Sequence, residues 1–280
     1  LLSTSDGLPF LNKEKSANYP ALFDNMYVNK NMVYDPKYLS FEPMENYIQV
    51  YKNMWLNPVF YKSVYEKIAL ANANPRGKYL YSDLNLILVQ QMMETKTGST
   101  LDKMAKEIYS ELGITKIGYN PLKWTSKDAI IPTEIDNFFR RDTIQGYVHD
   151  EAAAILGGVS GNAGLFANAK SISVICQMLL NNGKYQGKQI LKSKVIKQFI
   201  KSPLAKEGIY RGLGFDKRKP DEFYQQNHFG HTGFTGTFFF INPDNNRFLI
   251  VLTNRVNPSR TNRLMYKDDF CPKIWKEINN

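Results

Sequence analysis

Residues 228–255 read HFGHTGFTGTFFFINPDNNRFLIVLTNR. Two apolar runs rich in Phe, Ile, Leu and Val, 235–241 and 248–253, flank the polar turn 243–246. Apolar runs that are separated by a Pro-Asp-Asn-Asn turn predict a β-hairpin. The C-terminal part of the chain is therefore expected to contain antiparallel strands.

His231, Thr232 and Gly233 come directly before this hairpin, and we expect them to open its first strand. Polar side chains at the start of a strand can meet a ligand, and a glycine there lets the ligand approach the backbone closely. A lone histidine near a strand is more often structural, so this feature needs support from elsewhere in the chain.

That support lies 150 residues upstream, where residues 78–84 read KYLYSDL and precede the apolar run 86–89. The pattern predicts a helix that begins near Asp83 and ends at Gly98. Its predicted apolar face consists of Leu84, Ile87, Leu88 and Met92.

Together, Tyr81-Ser82-Asp83 and His231-Thr232-Gly233 resemble two motifs of the penicillin-binding serine hydrolases, the β-lactamase and D,D-peptidase superfamily. That family uses a Ser-x-x-Lys nucleophile motif, then Tyr-x-Asn, then Lys-Thr-Gly or His-Thr-Gly on a sheet strand. Residues 1–9, LLSTSDGLP, resemble the segment that follows the nucleophile helix in such proteins.

The first motif is absent, because no serine in the 280 residues is followed by lysine three positions later. The resemblance therefore predicts an N-terminally incomplete domain in which the first strands and the nucleophile helix are missing. It also predicts an attached or associated N-terminal segment.

Residues 132–166 carry the most specific resemblance, to a "PTE…GxVHDE…LGGVxGHAGLF" block of bacterial serine hydrolases. Some of these are fused behind a family 3 β-N-acetylglucosaminidase, which makes a glycoside hydrolase domain a candidate partner. Within the block, His149 either lines the cleft and contacts substrate or ties down its own loop. Further matches to the fused type are 119–122, 212–216 and 253–256.

The resemblance implies that Tyr81 takes part in proton transfer. A free tyrosine titrates near 10, so that role needs a nearby cation, which His231 could supply. Asp83 stands where the family usually has asparagine. A carboxylate accepts hydrogen bonds but cannot donate one, so Asp83 either meets substrate as an acceptor or serves as a helix cap.

The remaining implied contacts would bind substrate. Thr232 could hydrogen-bond a substrate carboxylate, and the backbone N–H of Phe234 would be an oxyanion donor. The strand after Gly233 could pair with an extended substrate.

The pattern of elements predicts an α+β domain of the β-lactamase/transpeptidase type, with an antiparallel sheet beside a helical lobe. We expect a single domain over residues 1–280, in which residues 10–80 form an irregular insertion over the cleft. Helices are predicted at 101–112, 170–180, 193–200 and 273–278.

Composition excludes several classes of protein. The net charge of +10 comes from scattered lysines without a nucleic-acid-binding motif, so we expect no nucleic-acid partner. No apolar stretch reaches about 18 residues, so we expect no transmembrane span. Three histidines without paired spacing predict neither a metal site nor a cofactor.

The leading interpretation is the body of a serine hydrolase that acts by acyl transfer on peptide, ester or amide bonds, and the resemblance implies cell-wall material as the substrate. Without the nucleophile segment it should be inactive by itself. The alternative is a non-catalytic module that binds a cell-wall ligand or docks a partner domain. The resemblance implies the periplasm or cell envelope.

Overall fold

The computed structural model describes residues 36–60, 65–66, 82–137, 139–217, 219–220, 227–267 and 270–279. Short helices and antiparallel strands make up this part of the chain, in agreement with the predicted α+β class. The chain divides into two compact units. Of the described residues, the first takes in 36–60, 65–66, 82–101, 119–137 and 139–165, and the second takes in 102–118, 166–217, 219–220, 227–267 and 270–279.

The described part of the first unit includes a three-stranded antiparallel sheet in the order β1-β3-β2, a two-stranded ladder and the α-helices α1 and α3. Two 3₁₀ turns, Pro121–Lys123 and Lys127–Ala129, lie between its helices. The elements are β1 (Leu39–Ser40), β2 (Ile48–Tyr51), β3 (Met54–Leu56), α1 (Leu84–Thr97), β5 (Ile135–Asp136), β6 (Asp142–Thr143) and α3 (Glu151–Ile155).

The core of the first unit joins the three-stranded sheet to α1 and α3. Tyr51, Leu56 and Phe60 are buried and belong to the same cluster as Ile87 and Ala153. The described part of the predicted insertion, 36–60, thus supplies apolar side chains to a core. Its position over a cleft stays a prediction.

Helix α1 ends as predicted, because Gly98 adopts a left-handed φ of 68° and donates its N–H to Glu94 O at 2.9 Å. Asp83 occupies the N-cap position, but its side chain makes no capping hydrogen bond to the helix. A capping role for Asp83 is therefore wrong; the Ser82 hydroxyl accepts from Leu84 N instead, at 3.3 Å.

The predicted apolar face of α1 is also wrong in part. Ile87 is fully buried, whereas Leu88 and Met92 are exposed, with 70% exposure at Met92. The second buried position is the polar Gln90, whose amide bonds the backbone of residues 159 and 161. Polar bonds from Gln90 to a distant loop thus act together with the apolar contacts of Leu84 and Ile87 in defining the buried face of α1.

Among its described residues, the second unit holds a three-stranded antiparallel sheet in the order β10-β11-β12, two short ladders, five α-helices and a 3₁₀ turn, Ala205–Glu207. The predicted helices are present within a few residues of their expected bounds. The elements are α2 (Leu101–Glu111), β4 (Ile117–Gly118), β7 (Phe166–Ala167), α4 (Ala169–Leu180), β8 (Lys184–Tyr185), β9 (Lys188–Gln189), α5 (Ser193–Ile200), β10 (Phe229–Thr232), β11 (Phe238–Asn242), β12 (Arg247–Val251), α6 (Leu264–Lys267) and α7 (Phe270–Asn279).

The predicted hairpin is confirmed: β11 and β12 are antiparallel neighbours that pair Phe238 with Val251 and Asn242 with Arg247. The expectation that His231 opens its first strand is wrong. His231 and Thr232 end a separate strand, β10, and residues 233–237 turn the chain into β11. Glycines at 233 and 236 favour a turn over a continuous strand.

Both faces of this sheet are covered by helices of the same unit. Trp275 of α7 is fully buried and its ring lies 5.8 Å from that of Phe240. On the other face, Cys176 of α4 packs with Phe229 and Ile241. Within the described ranges, no helix has the length and apolarity needed to cross a bilayer.

Candidate active site

The end of β10 presents two of the predicted site residues. His231 lies opposite Phe239 and Thr232 opposite Phe238 in the antiparallel pairing with β11. Successive side chains of a strand point to opposite faces, so the imidazole and the hydroxyl lie on different faces of the sheet. The His231 side chain is half-buried and that of Thr232 is exposed.

The turn after β10 is held by its own backbone and by the segment that follows β12. Gly233 N–H donates to Thr237 O at 2.6 Å, and Gly236 N–H donates to Gly233 O at 3.0 Å. Gly236 has a φ of 94°, and a Cβ there would collide with Thr253 and Arg255. Only glycine therefore fits this position, and the turn lies directly on the 253–255 segment.

A second short turn, residues 211–216, brings an ion pair to His231. Arg211 Nη1 donates to Asp216 Oδ1 at 3.0 Å, and Arg211 Nη2 lies 3.4 Å from His231 Nε2. Two backbone bonds of 2.7 and 3.0 Å link Asp216 with Gly230 of β10. These bonds fix the turn against the strand one residue before the imidazole.

In the first unit, Asp150 begins α3 and its Oδ1 accepts from Ala153 N at 2.7 Å. Burial raises the pKa of the Asp150 carboxyl, and the like charges of Glu151 and Asp83 add to this rise. The aspartate of the Tyr-Ser-Asp motif and the acidic residues of the 132–166 block therefore interact electrostatically.

Asn162, which replaces the histidine of the family block, links Asp150 to a buried serine. Its Nδ2 donates to Asp150 Oδ1 at 3.2 Å, and its Oδ1 accepts from Ser160 Oγ at 2.6 Å. Ser160 is only 1% exposed. This chain of hydrogen bonds satisfies buried polar atoms and gives Asn162 a structural role in the loop.

Helix α1 holds the same loop through Gln90. Its Nε2 donates to Val159 O at 3.2 Å and its Oε1 accepts from Gly161 N at 2.8 Å. A Cβ on Gly161 would collide with the carbonyl oxygen of Leu86, so helix and loop meet backbone to backbone.

His149 is buried, with 8% of its surface exposed, and its Nε2 lies 2.8 Å from Glu134 Oε2. The adjoining backbone is held by Arg140, which donates to the carbonyls of residues 148, 149 and 150 and pairs with Asp136 at 3.2 Å. Of the two alternatives for His149, this geometry favours the one in which it ties down the loop. Contact with substrate stays a prediction.

Two groups of predicted residues emerge, one in each unit. His231, Thr232, Gly233 and Phe234 form the end of β10 and its turn, while Asp83 and His149 belong to the first unit. Tyr81 lies outside the described residues, so its role and its expected proximity to His231 stay predictions.

The residues that support these groups were not among the predicted site residues. Arg211 precedes the 212–216 match and Asp216 ends it, and their opposite charges could have drawn attention to the pair. Arg255 lies in the 253–256 match, but nothing in the sequence distinguishes it from the other basic residues. No local pattern distinguishes Gln90 from an ordinary surface glutamine.

The described ranges contain no cluster of three or more His, Cys, Asp or Glu side chains that could hold a metal ion. The described titratable groups instead form hydrogen-bonded pairs, such as Glu134 with His149 and Asp216 with Arg211.

Comparison with protein families finds a match between residues 35–270 and the family described as Beta-lactamase. Among curated proteins, "Putative D-alanyl-D-alanine carboxypeptidase" of Escherichia coli (strain K12) is 35% identical over 201 residues, or 65% of this chain and 46% of that protein. A protein of the same name from Salmonella typhi is 32% identical over 202 residues. The chain spans about half the length of these relatives.

Among solved structures, the "putative beta-lactamase from Bacteroides dorei DSM 17855" is similar with a TM-score of 0.49. It is 16% identical, and the match covers 84% of this chain and 68% of that one.

Proposed function

Because this chain belongs to the β-lactamase family, we propose that it is the body of a serine hydrolase that works by acyl transfer. The observation that carries the proposal is the end of β10. There, His231, Thr232 and the turn that leads to Phe234 stand in the order of the third family motif.

Each of these groups has a chemical task in the proposal. The exposed Thr232 hydroxyl binds a carboxylate of the substrate, and the Phe234 N–H donates to the oxyanion that develops during acyl transfer. Asp216 pairs with β10 at Gly230, so an extended substrate would align beyond it, toward Thr232 and Gly233.

The substrates we propose are peptides of the cell wall, with the cell envelope or periplasm as the compartment. Support comes from the relatives named D-alanyl-D-alanine carboxypeptidases, of which the chain spans about half. A glycoside hydrolase domain is the proposed neighbour on the N-terminal side, on the resemblance of the 132–166 block.

The chain should not form a covalent adduct by itself. Its 280 residues contain no Ser-x-x-Lys, and Ser160 is buried and bonded to Asn162. Loss of a covalent nucleophile removes many powers of ten in rate and leaves only weak residual catalysis. The proposed activity therefore needs a nucleophile segment supplied with this chain.

The second candidate function is a non-catalytic module that binds a cell-wall ligand or docks a partner domain. Asp83 favours it, because a carboxylate in place of the family asparagine cannot donate to a substrate carbonyl. Both candidates need the ligand-binding end of β10, and they differ in whether a supplied serine becomes acylated.

A labelling experiment separates these candidates. The chain alone and the chain joined to a Ser-x-x-Lys segment from a family member are incubated with fluorescent penicillin, and their intact masses are measured. We expect no adduct on the chain alone and one adduct, on the supplied serine, in the joined protein. An adduct on Ser160 would contradict the proposed inactivity, and an unlabelled joined protein would favour the non-catalytic module.

Ligand binding is tested on the chain alone with a peptide that ends in D-Ala-D-Ala, titrated by calorimetry. Thr232→Val removes the proposed carboxylate contact and should weaken binding about tenfold, the effect of one lost hydrogen bond to a charged group. Thr143→Val, at another exposed strand position, is the matched control and should bind like the wild type. Equal affinities for all three proteins would remove Thr232 from the site.

A further inference from the structure

The His231 ring is fixed by hydrogen bonds at both nitrogens. Its Nδ1 lies 2.9 Å from Thr232 O. A carbonyl oxygen can only accept, so Nδ1 must carry the proton in this contact. In a neutral imidazole the other nitrogen, Nε2, then has the lone pair.

The group that faces Nε2 is consistent with this assignment. Arg211 Nη2 lies 3.4 Å away, and a guanidinium has only donors and is always protonated. Nε2 must therefore accept. A doubly protonated ring would set two N–H donors and two positive charges against each other across this distance.

Arg211 is itself held in place. Its Nη1 is bonded to Asp216, and the two side chains are 24% and 26% exposed. Arg211 and Asp216 also form a backbone bridge, and Asp216 is bridged to Gly230 of β10. Backbone and side-chain contacts thus both direct the guanidinium toward His231.

We propose that Arg211 is a positioning residue that holds His231 as the neutral Nδ1–H tautomer and supplies the positive charge at this end of β10. A family member with Lys-Thr-Gly carries that charge on the motif residue itself. Here the charge lies on Arg211, one hydrogen bond behind the imidazole.

This assignment changes the role that we expected for His231. A ring held in this tautomer is not the cation that we expected His231 to be; the positive charge at this end of β10 lies on Arg211 instead. To take up a proton at Nε2, His231 would first have to break its contact with Arg211. The importance of this tautomer for catalysis rests on the proposed function. The assignment of the tautomer itself does not depend on that function.

Nitrogen NMR of the whole chain tests the proposal without any turnover. The sequence contains three histidines, so ¹⁵N-histidine labelling gives signals from only three rings. The signals that disappear in His231→Gln belong to His231. We expect the wild-type neutral ring to show a protonated Nδ1 and an unprotonated Nε2. A wild-type ring protonated at Nε2 would overturn the proposal, whatever any variant does.

Arg211→Ala removes one of the two contacts that favour the Nδ1–H tautomer, so the Nε2–H tautomer should gain population and the two ¹⁵N shifts should move toward each other. Arg247→Ala, on an exposed side chain at the opposite end of the same sheet, is the matched control and should keep the wild-type shifts. Circular dichroism verifies that both variants fold. Shifts in folded Arg211→Ala that equal those of the wild type would remove Arg211 from this role.

The two proposals can fail separately. A wild-type Nδ1–H ring that responds to Arg211→Ala, in a joined protein that penicillin does not label, would support the positioning role and reject the hydrolase.

Discussion

The guanidinium carbon of Arg255 lies 4.8 Å from the centre of the Phe234 ring. The same guanidinium also contacts Tyr266, whose ring centre is 4.7 Å away. Arg255 is only 9% exposed, and its Nη1 donates to Asn262 O at 2.8 Å. The residue proposed to supply an oxyanion donor is thus held by an arginine that is anchored in the C-terminal loop.

Arg255→Lys should lower the free energy of unfolding by about 2 kcal/mol, because an ammonium can neither stack flat on two rings nor keep the bonds of the guanidinium. Urea denaturation measures this change. Arg247→Lys, at an exposed position of β12, should change it by less than about 0.5 kcal/mol. Similar losses in both variants would mean that the stacking of Arg255 adds nothing.

Asp150→Asn should change the pH dependence of stability. The raised pKa of the buried carboxyl means that Asp150 contributes most stability below about pH 4, where the unfolded chain is also protonated. That contribution is lost as pH rises through the higher folded pKa. Asparagine keeps an acceptor for Ala153 N and has no charge to bury.

The free energy of unfolding of the variant should therefore increase relative to that of the wild type as pH rises from about 4. The difference should level off above the pKa of Asp150 in the folded protein. Urea denaturation at a series of pH values measures it. Asp128→Asn, at an exposed position, should give a nearly constant difference. A constant difference for Asp150→Asn as well would show that the carboxyl is not destabilised by burial.

Tyr51→Phe should destabilise the protein by about 2 kcal/mol at pH 7, since it removes the hydroxyl that donates to Asp142 Oδ2 at 3.0 Å. Burial of Asp142 raises its pKa, but hydrogen bonds from Lys52 and Tyr51 outweigh this, and the pKa is lowered overall. Stability from this carboxylate is present above the unfolded pKa and lost as pH falls through the folded one.

The cost of Tyr51→Phe should accordingly shrink in acid, which thermal melts at several pH values would show. Tyr147→Phe is the control, because it removes a hydroxyl from the neighbouring ring, 4.6 Å away, and leaves the Asp142 contact intact. A cost of Tyr51→Phe that is independent of pH would argue against coupling to Asp142.

Gly161→Ala should destabilise the protein by about 2 kcal/mol, because the new methyl group collides with the Leu86 carbonyl and pushes the loop away from Gln90. Gly187→Ala has open space around its Cβ but a left-handed φ of 81°, so it should cost about 1 kcal/mol from backbone strain alone. Urea denaturation compares the two. A smaller cost at Gly161 than at Gly187 would show that helix and loop separate easily.

The sequence predicts those parts of the fold that depend on neighbouring residues. The hairpin of β11 and β12 follows from two apolar runs and a Pro-Asp-Asn-Asn turn, and α1 ends where a glycine can adopt a left-handed conformation. Strand β10 was not separated from β11, because its boundary depends on how residues 233–237 turn over Thr253.

The residues that hold the site residues in place could not be predicted for the same reason. Arg211 reaches His231 across 20 residues only after the 211–216 turn has paired with β10. Gln90 is buried because its amide meets a loop 69 to 71 residues away. A motif identifies the residue expected to contact the ligand, but not the distant residue that holds that side chain in place.

The contacts of Arg140 have a consequence for how the protein opens. One guanidinium serves three consecutive carbonyls, at residues 148–150, and is itself paired with Asp136. The segment should not fray one residue at a time, since release of any of these carbonyls leaves an N–H group of a buried guanidinium without that acceptor. Local opening there should be an all-or-none event that hydrogen exchange would register as one shared rate, whereas the exposed residues 244–246 would exchange one by one.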